Sequence, residues 1–147
     1  MTKVLVRILA VAVVVFLASE GPVAADRVYH SERLTFDGGA DPDFHGQVVN
    51  IHPNGPVHGA LERYQVIRAG ASTTYEVWIQ FCADGGFVDF MSTAQLKTNR
   101  QGNGHASAGF SAADLAPFSG ATVHIRWVLK VGGTVRYSTP CTTVTID

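Results

Sequence analysis

The amino-acid sequence predicts an all-β fold, an antiparallel β-sandwich of about seven or eight short strands. Three observations carry this. After residue 26 no apolar face with helical spacing runs longer than about two turns. Instead, apolar and polar residues alternate with period two in several segments. Clusters of Gly, Asp, Asn and Pro separate those segments at regular intervals.

The elements follow in chain order. Met1 to Arg7 carries Lys3 and Arg7, Ile8 to Ala18 is an unbroken apolar run, and Val23-Ala24-Ala25 closes a polar, Gly/Pro-containing stretch. This is the layout of a cleavable signal peptide over 1–25, with small residues at Val23 and Ala25 for the peptidase pockets and cleavage before Asp26. The apolar run is well short of the ~20 residues that span a bilayer, so no membrane span is expected after cleavage. Residues 26–147 form the single mature domain, secreted to the extracellular side.

Strands are expected over Arg27 to Phe36, Gly46 to His52, Ala60 to Arg68, Tyr75 to Phe81, Phe87 to Leu96, His105 to Phe110 and Val123 to Val131. Ser111 to Ala116 reads as one helical turn capped by Ser111. In the strand from Val123, residues Val123, Ile125, Trp127, Leu129 and Val131 share one face opposite His124, Arg126, Val128 and Lys130. A three-residue loop, Gly132-Gly133-Thr134, keeps apolar residues together by setting Val131 opposite Val135 and Leu129 opposite Tyr137. That register places Lys130 across from Arg136 and Cys141 across from Ile125, on the inner face. Tyr75, Val77, Ile79 and Phe81 alternate with Glu76, Trp78 and Gln80. Cys82 falls in with Trp78, so either the strand bulges before Cys82 or the Trp78 face is the buried one.

Cys82 and Cys141 are the only cysteines. In an exported chain an even pair without C-x-x-C spacing reads as one structural disulfide.

Composition narrows the function classes. Eleven basic residues against twelve acidic ones exclude the basic excess of a nucleic-acid binder. Apolar residues at 46% with only 16% charge argue for a packed core, not disorder.

From Tyr75 onward the segments YEVWIQFCADGG, LKTNRQGNGHASAGF and RWVLKVGGTVRYSTPCTTVTID resemble small secreted immunoglobulin-like sandwiches of actinobacteria. Members of that group are mostly of unknown function. The resemblance implies export and an immunoglobulin-like sandwich, and it transfers no catalytic residue.

Candidate chemistry is sparse. His45, His52 and His58 are close in sequence and are the candidate copper or zinc ligands, although seven residues separate His45 from His52 and put them on opposite faces of one strand. Asp37, Asp41 and Asp43 in a Gly/Pro loop offer oxygen ligands for calcium, but acids at turns ordinarily bond local backbone N–H groups. Trp78, His124, Arg126, Lys130 and Arg136 are the candidate binding residues. Trp78 offers a stacking platform for a sugar ring, and the four basic residues a patch for an anionic cell-wall polymer. No G-x-S-x-G elbow and no positioned pair of carboxylates appear. The expectation is a non-enzymatic binding or interaction module without a cofactor, partnered by an extracellular protein or a cell-wall polymer. The alternatives are a small metal-binding protein or metalloenzyme and a carbohydrate-binding module.

Overall fold

A computed structural model describes residues 29–53 and 59–146. The expected leader over 1–25, the expected cleavage before Asp26 and His58 lie outside the described residues. Within them the chain forms nine antiparallel strands: β1 (Tyr29–Phe36), β2 (His45–Pro53), β3 (Gly59–Ile67), β4 (Thr74–Ala83), β5 (Gly86–Thr98), β6 (Gly104–Ser111), β7 (Thr122–Val131), β8 (Thr134–Ser138) and β9 (Thr142–Thr145). The expected strands are all present, with ends moved by a few residues.

The strands belong to one hydrogen-bonded sheet in the order β1-β2-β3-β6-β5-β4-β7-β8. β9 shares the β8 side of β7: Thr122 to Ile125 pair with β9, and Val128 to Val131 with β8. The sheet curls until its two ends meet, where the Asp37 amide donates to the Ser138 carbonyl at 2.8 Å. Beside that contact the rings of Phe44 and Tyr137 stack with centroids 3.7 Å apart. The result is close to a closed barrel, an arrangement that limits the exposed strand edges open sheets carry. The hydrogen bonding does not divide the strands into two facing sheets.

Alternation decides what fills the interior. Val48, Tyr64, Val66, Tyr75, Val77, Leu96, Trp127 and Leu129 are all buried at 3% exposure or less. They come from five strands, β2, β3, β4, β5 and β7, whose polar residues mostly turn outward. One end of the barrel is plugged by loops. Ala69 N donates to Gly102 O at 3.0 Å, and Gly70 N donates to the Tyr75 hydroxyl at 2.8 Å. Gly102 has φ of 78°, and a Cβ there would fall 2.0 Å from Ala69 O, so no other residue fits this crossing.

The other end is crossed by one helical turn, α1 (Ala112–Leu115), and a 3₁₀ turn (Ala116–Phe118). α1 starts at Ser111 as expected, with Asp114 N donating to Ser111 Oγ and Ser111 N donating to Asp114 Oδ2, a capping box.

Three register expectations are corrected. The turn after β7 has two residues, Gly132 and Gly133 at φ of 56° and 78°, with Val131 paired to Thr134. Two successive positive φ values give the twist that suits a tight hairpin. The apolar register is then recovered by a bulge: Lys130 pairs with Val135, Leu129 pairs with Tyr137, and Arg136 is left over. The like-charge Lys130–Arg136 pair is therefore not formed. Cys141 precedes β9, whose Thr142 pairs with Ile125, so Cys141 faces outward and not into the core. β4 keeps its alternation unbroken against β7, and its Tyr75–Val77–Ile79 face is the buried one. Cys82 thus sits outside with Trp78, and the Cys82–Cys141 disulfide closes on the outer face with Cα atoms 6.4 Å apart. A crosslink needs only matching Cα distance and direction, which an outer-face pair meets as well as an inner one.

Candidate functional site

At the end crossed by α1 the core is incomplete and encloses a cavity of about 540 Å³. Local sequence explains the gap. β6 contributes the small residues Ala106 and Ala108, which pair with Tyr64 and Glu62 of β3. β5 carries two bulges against β4, between Val77 and Trp78 and between Ile79 and Gln80, which leave Thr93 and Phe90 without a ladder partner. A bulge re-aims the extra residue, and both Thr93 and Phe90 line the cavity. The mouth is aromatic: Phe90 packs on Phe81 at 4.7 Å and edge-on against Phe118 at 5.4 Å. Ile79, Val123, Ile125 and Val144 complete apolar walls.

The floor is polar. Glu62 is 3% exposed, in line with Tyr64 and Val66 on the inner face of β3. Its Oε1 accepts from Trp127 Nε1 at 2.9 Å, and its Oε2 accepts from the Tyr64 hydroxyl. Tyr64 also lies 2.8 Å from Thr93 Oγ1. Burial pushes the Glu62 carboxyl up to about 7, against the opposing pull of its two hydrogen bonds. Burial raises Tyr64 as well, and the neighbouring Glu62 raises it further. Asn50 of β2 stands directly across from Glu62, 3% exposed, and its Oδ1 accepts no hydrogen bond. A buried carboxyl raised toward neutrality and facing an apolar cavity makes this end of the barrel the candidate site.

The residues proposed from sequence lie elsewhere. Trp78, Arg126 and Lys130 come together on the outer face of β4 and β7. Trp78 Nε1 donates to Glu76 at 3.0 Å, and Lys130 Nζ sits 4.7 Å above the Trp78 ring. Lys130 is not on a solvated face: it is 5% exposed, with its ammonium 2.5 Å from both oxygens of Asp89. Gln80 joins the array, donating to Asp89 at 2.7 Å and accepting from Arg126 Nε at 2.9 Å. Arg126 also covers the Phe87 ring at 3.1 Å. The functional groups of this face thus bind one another. His124 and Arg136 are exposed and stand apart from the array.

His45 and His52 occupy opposite ends of β2, about 23 Å apart at the rise of an extended strand. No cluster of three potential metal-ligating side chains occurs among the described residues. Asp37 and Asp41 accept from the local amides of Gly39 and Asp43, as turn acids do.

Sequence reasoning passed over Glu62 and Asn50. A signal for Glu62 was present. In LERYQVI, Arg63 and Gln65 need solvent, which sends Tyr64 and Val66 inward and takes Glu62 with them. VVNIH around Asn50 has no such asymmetry.

No family model, curated protein or solved structure matches this chain. No helix among the described residues is long and apolar enough to cross a membrane.

Proposed function

We propose that this protein is a secreted, non-enzymatic carrier that holds a small, mainly apolar molecule in the end of its barrel. The single observation behind this reading is the cavity of about 540 Å³, apolar along its walls and ending on Glu62 and Asn50. Barrels of about eight strands have room for one small ligand inside. A few convergent polar groups in an apolar pocket are how such sites orient what they bind. Secretion is supported by the leader pattern in residues 1–25 and by a disulfide that fits an oxidising compartment. The reading keeps the non-enzymatic part of the module expected from sequence and replaces its expected partner, an extracellular protein or cell-wall polymer, with a small molecule. Among the described lining residues no hydroxyl is paired with a histidine base.

The test is a fluorescence titration with a neutral apolar dye such as Nile red, together with Ala108→Leu. Ala108 is buried directly across from Glu62, so the larger side chain occupies cavity space. The expected result is saturable binding of one dye per protein, weakened at least tenfold in a variant whose near-ultraviolet circular dichroism is unchanged. No saturable binding by the wild type, or equal binding by a folded Ala108→Leu, would overturn the reading.

A further inference from the structure

The cavity floor keeps hydrogen-bond acceptors with unused capacity. Asn50 and Glu62 are directly opposed on β2 and β3, which places their Cβ atoms about 5 Å apart on the inner face. Each Glu62 oxygen takes one hydrogen bond, from Trp127 or from Tyr64, and keeps capacity for a second. Asn50 Oδ1 is buried and accepts nothing from the protein. An unmet buried acceptor carries its desolvation penalty in full until something donates to it. The charged groups of the described lining are Glu62 at the floor and Asp114 at the mouth, with no Lys, Arg or His among them. An anionic head group would meet a carboxyl and an unfilled acceptor, with no cation to neutralise it.

We infer that the cavity selects an apolar molecule ending in a primary amine, with the ammonium seated between Asn50 Oδ1 and Glu62 and the hydrocarbon part running out between Phe81 and Phe90. The inference rests on the carrier reading above and names its ligand class. An ammonium brings three donors and no acceptor, which matches this floor. An alcohol brings one donor and leaves part of the floor unmet. A carboxylate brings none and adds like charge. The apolar surroundings strengthen the ion pair once formed, because little water competes for either partner. Burial that holds the Glu62 carboxyl near 7 without a ligand leaves it ready to ionise when a cation arrives.

Competition against bound Nile red at pH 7.5 tests this with three eight-carbon compounds: 1-octylamine, 1-octanol and octanoate. The amine is expected to displace the dye at concentrations at least about tenfold below those of the alcohol, with octanoate weaker still. In Glu62→Gln, which keeps the shape of the side chain, the amine's advantage falls to within about threefold while the alcohol is unchanged. Asn50→Leu supplies an independent second variant with the same expected direction. Octanoate competing as well as octylamine, or an amine preference that survives both substitutions, overturns the ligand class and leaves the carrier reading standing. Failure of Nile red to bind at all removes the carrier reading, and the ligand class with it.

Discussion

The buried Glu62 carboxyl ties stability to pH in a direction opposite to ordinary acid denaturation. In the unfolded chain a glutamate titrates near 4.5, and in the barrel burial moves it to about 7. Between these values the folded protein holds a proton that the unfolded chain has released. Stability from this group is therefore complete below about 4.5 and declines as pH rises toward 7, after which the loss levels off. Each unit of pKa is worth about 1.4 kcal/mol, so the displacement amounts to about 3 kcal/mol. For a domain of this size that corresponds to a fall in Tm on the order of 10 °C between pH 5 and pH 8. Other groups superimpose their own dependence, and Glu62→Gln removes this one while keeping a hydrogen-bonding amide beside Trp127 and Tyr64. The assay is thermal unfolding of wild type and variant across pH 4.5 to 8.5, taken as the difference between the two curves. A second readout is Trp127 fluorescence, since its indole N–H bonds the titrating group at 2.9 Å. Wild-type and Glu62→Gln profiles that run parallel throughout would refute the reasoning, because the carboxyl would then titrate alike in both states.

Other perturbations have equally definite outcomes. Cys82→Ser with Cys141→Ser opens a loop of 59 residues, and denaturant unfolding should register a loss of up to about 4 kcal/mol with the cavity's ligand affinity retained. Gly102→Ala places a Cβ 2.0 Å from Ala69 O at a φ of 78° and should cost about 2 kcal/mol or more, whereas Gly85→Ala, with open space around it, should be close to neutral in the same experiment. Asp89→Ala leaves the Lys130 ammonium buried without its partner and should destabilise by about 2 kcal/mol, well beyond Asp84→Ala as a surface control. Hydrogen bonds from Gln80 and Lys130 hold the Asp89 carboxyl below the ordinary range, so its contribution should persist down to acidic pH and disappear only as the carboxyl is protonated.

Much of the local structure was legible in the residues themselves. Alternation in TVHIRWVLKV marked β7 and its inner face, since Val123, Ile125, Trp127 and Leu129 cannot all lie together on any other element. Ser111 and Asp114 specified a capping box because both partners lie within one turn. The cysteine pair specified a disulfide because two thiols without C-x-x-C spacing, in a chain whose leader pattern predicts export, have few other fates. These features depend on contacts close along the chain, or on a chemistry with only one partner available.

What lay beyond the sequence depends on how distant strands meet. The order β3-β6-β5-β4-β7 and the closure of Asp37 on Ser138 arise from pairings spread along the whole chain, and no local pattern encodes them. The hairpin after β7 shows the limit at small scale. Alternation required Leu129 to meet Tyr137, but a longer loop and a bulge satisfy that requirement equally, and only the tertiary context chose the bulge. Lys130 reads as a solvated strand residue until β5 brings Asp89 across it. The candidate site is the clearest case. Glu62 belongs to an inner face by parity, yet its meaning comes from Asn50 on one neighbouring strand, Ala108 on the other, and Trp127 from 65 positions away. The sequence by itself determined which residues form strands and which way most of them face, since that follows from short-range sterics and burial. The tertiary structure decided that these strands leave a cavity around one carboxyl, since only packing at a distance determines where side chains fail to fill the space.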